Sequence, residues 1–150
     1  MNKAENNKIQ KNIDALYLHI PFCEKKCEYC DFCTFINMSR EYGKYTEALV
    51  KELKMHPKYE YDTVYFGGGT PSLLPVEMIS YIMRNINYRK DGEITLELNP
   101  NDMSLEKLKE LRELGINRLS IGIQSFCDHV LKFIGRLHSG EDAIRVFRDA

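Results

Sequence analysis

Apolar positions along the chain follow two rhythms, a strand period and a helix period, and each short strand-like run leads into a helical one. Residues 16–20 (LYLHI) form an apolar run that reads as a buried strand, ended by Pro21. Tyr42, Tyr45, Ala48, Leu49 and Leu53 recur at helical spacing, which predicts a helix over 41–55 terminated by Pro57. Residues 63–66 are a short β-rich run, and Gly67, Gly68, Gly69, Thr70 and Pro71 follow it directly. Pro75 marks the next helix start, with Met78, Ile79, Ile82, Met83 and Ile86 on one face. A strand is expected over 93–98, stopping at Asn99-Pro100. Ser104 is a candidate N-cap for a helix carrying Leu105, Leu108, Leu111 and Leu114, closed by Gly115. Residues 118–124 read as a fourth strand, and a helical turn over 127–134 is broken by Gly135. Ser139 opens a last helix holding Ala143, Ile144 and Phe147.

A β-then-α unit repeated four times belongs to the α/β class, with parallel strands joined by helical crossovers. Four units do not close a barrel, and the last strand would be left as an exposed edge. The chain is therefore expected to be the N-terminal part of a longer protein, about four β/α units of an incomplete, TIM-like (β/α) barrel. Residues 1–14 would be a flexible N-terminal arm, and 15–150 the beginning of the core domain. Its 150 residues suffice for one sizeable core. The 21 basic and 22 acidic side chains nearly cancel, so nothing points to nucleic acid or an anionic membrane. No apolar run approaches the roughly 20 residues of a transmembrane helix. The first twelve residues are polar and Asn/Lys-rich, unlike a signal peptide. Cysteines without an export signal place the protein in a reducing, cytoplasmic compartment.

Cys23, Cys27, Cys30 and Cys33 fall within eleven residues, just after the first strand. Thiols crowded on a loop suit a metal, because a core gains little from so many small thiols side by side. The inner spacing is Cys-x3-Cys-x2-Cys. Three thiolates on a cubane iron–sulfur cluster leave one iron open to chemistry. A zinc knot and a pair of disulfides are the alternatives. An odd total of five cysteines speaks against disulfides, and zinc usually pairs two Cys-x2-Cys elements across a longer gap. Other unusual residues also stand at predicted strand ends, where parallel β/α architectures gather functional groups. The glycine run follows strand two, Glu97 lies in the last turn of strand three, and Gln124 ends strand four. Each has an ordinary reading: a tight turn, an exposed acid, a backbone-satisfied amide. Arg136 likewise reads as a solvated surface charge.

YLHIPFC followed by x3-C-x-Y-C resembles the cluster loop of radical S-adenosylmethionine (radical SAM) proteins. Within them it resembles the branch holding oxygen-independent coproporphyrinogen III oxidases and HemW-type haem chaperones. YFGGGTPSLL, ITLELNP and NRLSIGIQSF match that branch in the same order, so the resemblance runs from about Ala15 to the last residue. It implies a partial radical-SAM barrel with a [4Fe–4S] cluster on Cys23, Cys27 and Cys30. It also implies S-adenosylmethionine, its methionine end lined by Gly68, Gly69 and Thr70. Glu97 and Gln124 would meet the ribose, Arg136 the cofactor carboxylate, and Tyr17 and Tyr29 would pack nearby. An electron donor of flavodoxin or ferredoxin type would reduce the cluster. Cleavage of the sulfonium would then give a 5′-deoxyadenosyl radical, and the further partner would be haem or a porphyrinogen. No residue is assigned a catalytic role; His19 reads as a satisfied core histidine and Cys127 as a semi-buried thiol.

The oxidases carry another cysteine two residues after the third ligand. Here that position is Phe32, and the extra thiol stands one place later as Cys33. The Cys-x2-Cys-Asp-Phe run resembles the chaperone branch, so haem binding and delivery is expected over porphyrinogen decarboxylation. A reading from another class is ferredoxin-like electron transfer, with Cys27, Cys30 and Cys33 at ferredoxin spacing and four protein thiolates closing the centre. The lack of a second cysteine set and the presence of the glycine loop speak against it.

Overall fold

The computed structural model describes residues 15–56 and 59–150. The arm expected at 1–14 and the helix stop expected at Pro57 lie outside the described residues. Among the described residues six strands and five helices follow in order: β1 (Ala15–Ile20), β2 (Phe22–Cys23), β3 (Phe35–Ile36), α1 (Tyr42–Met55), β4 (Tyr61–Gly68), α2 (Val76–Met83), β5 (Tyr88–Leu98), α3 (Leu105–Glu113), β6 (Arg118–Ile121), α4 (Asp128–Phe133) and α5 (Gly140–Asp149). Short 3₁₀ turns at Ser39–Glu41, Pro71–Leu73 and Pro100–Asp102 lead into helices or follow strands. The main sheet has the order β1-β4-β5-β6, every pair parallel. This is the expected α/β arrangement of four units.

Alternation along the strands separates two faces. Leu18 and Ile20 of β1, Val64 and Phe66 of β4, and Ile94, Leu96 and Leu98 of β5 are buried beneath the helices. They pack there with Val50 of α1, Ile79, Ile82 and Met83 of α2, and Leu108 and Leu111 of α3. The other face carries Tyr17, His19, Tyr65, Glu97, Arg118 and Ser120, all partly or fully exposed. His19 is therefore no core residue: it is exposed, and its Nδ1 lies 3.1 Å from the Tyr17 hydroxyl.

Strand lengths differ from the periodicity for identifiable reasons. β5 begins at Tyr88, five residues before the expected start, across Arg89, Lys90 and Asp91. Those polar residues hide the strand in a hydrophobicity pattern, and Arg89 anchors the segment by ion pairs of 3.2 Å to Asp62 and to Asp91. β6 stops at Ile121 rather than Gln124. Beyond it the backbone folds into tight turns, Ile123 N to Ile121 O at 2.9 Å and Ser125 N to Ile123 O at 2.7 Å, with Gln124 at φ 60°. On α5 the buried positions are Gly140, Ala143 and Val146, while Ile144 and Phe147 are exposed. Leu105 is likewise exposed at the start of α3. The caps are as expected: Ser104 accepts from Lys107 N, and Ser139 forms a reciprocal capping box with Asp142.

Leu96 is 0% exposed at the centre of the sheet. Leu96→Ala should cost about 2–5 kcal/mol through lost transfer energy and a residual cavity. Ser139→Ala, which removes only a cap, should cost about 1 kcal/mol. Urea denaturation of the two variants beside the unaltered chain measures both, and equal losses would contradict this placement of the core.

Candidate cofactor and metal site

The cysteine loop is closed at its root. Phe22 and Cys23 pair in parallel with Phe35 and Ile36, so residues 24–34 bulge out between β2 and β3. Phe22 is buried against α1, its ring centroid 4.6 Å from Tyr42 and 5.1 Å from Tyr45. The Tyr45 hydroxyl donates to His19 O at 2.6 Å. On its far side, Glu28 N donates to Ile134 O at 3.3 Å, tying the loop to the end of α4.

The glycine run lies directly against this root. Gly69 N donates to Ile20 O at 2.8 Å and Thr70 N to Phe22 O at 2.7 Å, carrying the β1–β4 ladder past the strand ends. Gly68 has φ +117°, in the region that favours glycine. A Cβ on Gly69 would lie 2.5 Å from Phe22 O and 3.0 Å from Cys23 Sγ. Glycine is required there because two backbone segments touch.

A cavity of about 290 Å³ opens at the carboxyl ends of the four main strands. Cys23, Cys27 and Cys30 line one side, Gly68, Gly69 and Thr70 the floor, and Glu97, Asn99, Gln124 and Arg136 the remainder, with Tyr29 and Phe32 at the cysteine loop. Seven of the eight expected cofactor residues and all three expected ligands thus meet in one place. Tyr17 does not line the cavity. It lies on the open sheet face, stacked on Tyr65 with ring centroids 6.0 Å apart. Cys33 is exposed and off the lining, so the ferredoxin-like set loses one of its thiols. Cys127 is exposed rather than semi-buried.

A carboxylate and a guanidinium give the cavity its polarity. Glu97 accepts from the Tyr65 hydroxyl at 2.7 Å and from Gly68 N at 3.0 Å, so it is anchored rather than loose at the strand end. That hydrogen bond, before burial, raises the pKa of Tyr65. Arg136 donates to Asn99 Oδ1 at 2.5 Å and Gly122 O at 2.6 Å, and its Nη1 lies 3.6 Å from Cys27 Sγ. Its Nε is buried without a partner. Burial raises the Tyr29 pKa, partly offset by the charge of Arg136. Burial also pushes the Cys23 thiol up; hydrogen bonds with Thr70 and Thr34 lower it, and repulsion from Cys30 and Cys27 raises it again.

The donor set can be weighed against the metal alternatives. Among the described residues no three Cys, His, Asp or Glu side chains are gathered to hold a single metal ion. Cys23, Cys27 and Cys30 line one shared cavity. A group of several metal atoms bridging separate thiolates suits this arrangement, and the unpartnered donor of Arg136 suits an anionic ligand beside it.

Four contributors escaped the sequence reading. Asn99 counted there only as a strand stop, although it joins Arg136 to Thr70. Tyr65 sat in an apolar run, yet its hydroxyl holds Glu97. Thr34 had no signal at all. His138 is buried, and its Nε2 lies 3.0 Å from Ile123 O, so Nε2 carries the proton and holds the turn bearing Gln124. Burial lowers its pKa, in keeping with a neutral ring.

Gly69→Ala should force the glycine turn away from the root of the cysteine loop. The cost should be at least the roughly 1–3 kcal/mol typical of overpacking, read as a lowered urea midpoint, and all three lining thiols should react faster with a maleimide reagent. Unchanged stability would contradict the backbone contact described here.

The profile of the Radical SAM superfamily matches residues 17–150. The chain is 41% identical over 145 residues to the protein named heme chaperone HemW of Bacillus subtilis (strain 168), covering 91% of this chain and 38% of that protein. It is 38% identical over 144 residues to the mitochondrial radical S-adenosyl methionine domain-containing protein 1 of Mus musculus, covering 91% of this chain and 33% of that protein. Among solved structures, coproporphyrinogen III oxidase (HemN) from Escherichia coli, described as a radical SAM enzyme, superposes with a TM-score of 0.83 at 31% identity, over 91% of this chain and 33% of that one. The chain thus spans between 33% and 38% of the length of these relatives. With the four-unit parallel sheet and the thiol-lined cavity at its carboxyl edge, the match over nearly the whole sequence establishes that the chain belongs to the radical SAM superfamily.

Proposed function

We propose that this chain is part of a haem-binding radical SAM protein that receives and delivers haem. Residues 15–150 would begin its core domain. Membership of the superfamily implies a [4Fe–4S] cluster and S-adenosylmethionine. The observation that carries the reading is the meeting of Cys23, Cys27, Cys30, the glycine loop, Glu97 and Arg136 around one cavity. In this reading the three thiolates hold the cluster and leave one iron for the cofactor. Bound together, the pair supplies one-electron reductive chemistry at a sulfonium.

The chain's own groups position that chemistry. Gly68, Gly69 and Thr70 offer a side-chain-poor floor for the methionine end. Glu97, immobilised by Tyr65 and Gly68, keeps lone pairs for ribose hydroxyls or an ammonium, and Gln124 reaches the same ribose. Arg136 pairs with the cofactor carboxylate through its unsatisfied donor. Tyr29 covers the cluster side, and Tyr17 approaches from the open face. The reductant is of flavodoxin or ferredoxin class, and the setting a reducing cytosol. Among the described residues no helix is long and apolar enough to cross a membrane.

Relatives named haem chaperone support haem as cargo. So does Phe32, an exposed apolar ring lining the cavity where the resembling oxidases carry a thiol. The second reading, oxidative decarboxylation of coproporphyrinogen III, rests on the likeness to HemN. An oxidase must hold a flexible propionate-bearing substrate with one hydrogen in reach of the radical; a chaperone needs only an apolar surface and an iron ligand.

Anaerobic reconstitution of the intact protein should load a full [4Fe–4S] complement, and Cys23→Ala, Cys27→Ala and Cys30→Ala should each abolish loading. Cys33→Ala should load normally. An essential Cys33 beside a dispensable Cys23 would instead favour the ferredoxin-like set. With the cluster loaded, Glu97→Ala, Gln124→Ala and Arg136→Ala should weaken S-adenosylmethionine binding. Arg136 should cost most, about 1.5–3 kcal/mol for a charge-assisted contact. Unchanged affinity in all three would contradict these assignments.

The intact protein should bind haem at about one per chain, in line with a single pocket. Incubated anaerobically with reduced cluster, S-adenosylmethionine and coproporphyrinogen III, it should leave the porphyrinogen unaltered by chromatography. Sustained formation of protoporphyrinogen without haem uptake would establish the oxidase reading instead.

A further inference from the structure

Asn99 is given no metal or cofactor contact above, yet it stands between two residues that touch cysteine sulfurs. Its Nδ2 donates to Thr70 Oγ1 at 2.9 Å, and its Oδ1 accepts from Arg136 Nη2 at 2.5 Å. Thr70 Oγ1 lies 3.7 Å from Cys23 Sγ, and Arg136 Nη1 lies 3.6 Å from Cys27 Sγ. A continuous polar chain therefore runs from Cys23 through Thr70, Asn99 and Arg136 to Cys27.

Chemistry fixes the direction of each bond in it once Cys23 and Cys27 are thiolates of the proposed cluster. A guanidinium has donors only, so the amide oxygen must face Arg136 and the amide nitrogen must face Thr70. Thr70 then accepts from Asn99, which leaves its own proton for another acceptor. Thr70 is 3% exposed, so that acceptor is not bulk water. Cys23 Sγ is the neighbour in reach, and a thiolate can only accept. Hydroxyl and guanidinium are both aimed at sulfur by one amide.

We infer that Asn99 is a positioning residue that sets this direction and so places hydrogen bonds on two cluster thiolates. The inference rests on the proposed cluster at Cys23, Cys27 and Cys30. Reduction adds negative charge to a cluster, and donors on its sulfurs stabilise that charge, raising the reduction potential. An aspartate at 99 would still accept from Arg136. It would offer Thr70 an acceptor instead of a donor, and the hydroxyl would turn away from Cys23.

The test is the midpoint potential of the reconstituted cluster in the intact protein, from an anaerobic titration followed by electron paramagnetic resonance. Thr70→Val and Asn99→Asp should each shift the midpoint to more negative values, and Thr70→Ser should keep the unaltered value. The double variant Thr70→Val/Asn99→Asp should shift by less than the sum, because both changes remove the same bond. Asn99→Leu, which adds no charge, should also shift it negative, and it decides the matter if Thr70→Val takes up no iron. An unaltered midpoint in Asn99→Leu, or strictly additive shifts in the double variant, would overturn the inference. Failure of the unaltered protein to load a cluster, or loading that survives Cys23→Ala, would instead overturn the cluster assignment on which it rests.

Discussion

Two backbone hydrogen bonds, Gly69 N to Ile20 O and Thr70 N to Phe22 O, hold the site together. They extend the β1–β4 ladder beyond the last residues of either strand, so the cysteine loop and the glycine loop leave the sheet as a joined pair. Neither loop has a core of its own. The first inherits its position from Phe22, packed on Tyr42 and Tyr45 of α1, and the second from β4 in the sheet interior. A side chain at Gly69 would separate them, which is why the close approach and the thiol positions are one problem in packing.

Around that joint the polar groups are shared rather than merely gathered. Glu97 holds Gly68 N while being held by Tyr65; Arg136 holds the carbonyl of Gly122 while being held by Asn99. Each bond crosses between units of the fold, β5 to β4 in one case and the α4–α5 connection to β5 and the segment after β6 in the other. In a half-buried cavity such pairs are stronger than in water and costly to leave unmade. The fold therefore specifies the site by the same bonds that close the carboxyl edge of its sheet.

Much of this was legible in the residues alone. Apolar runs with intervening helical periods called for four parallel units, and helix caps at Ser104 and Ser139 are where the side chains predicted. The thiols announced themselves by spacing, and the glycines by following a strand. What could not be read were features that depend on partners distant in sequence. β5 reaches back to Tyr88, which pairs with Tyr61 across an irregularity that carries Arg89, Lys90 and Asp91, with Asp62 as counter-charge, neither visible in a local pattern. β6 ends early because a left-handed turn at Gln124 is held by Arg136 and His138 from the far side of α4. Asn99 looked like a strand stop since its value lies in joining residues 29 positions before it and 37 after.

The central claim is that the three lining thiols carry a cluster with one iron open to a ligand, beside a pocket shaped for S-adenosylmethionine. Its most direct test is the electron paramagnetic resonance spectrum of the reduced, reconstituted cluster, recorded in the intact protein before and after addition of S-adenosylmethionine. Direct ligation at the open iron predicts a changed spectrum that saturates with the cofactor, and loss of that change in Arg136→Ala at the same cofactor concentration. A cluster whose spectrum is indifferent to S-adenosylmethionine, as expected of a centre closed by four protein thiolates, would contradict it.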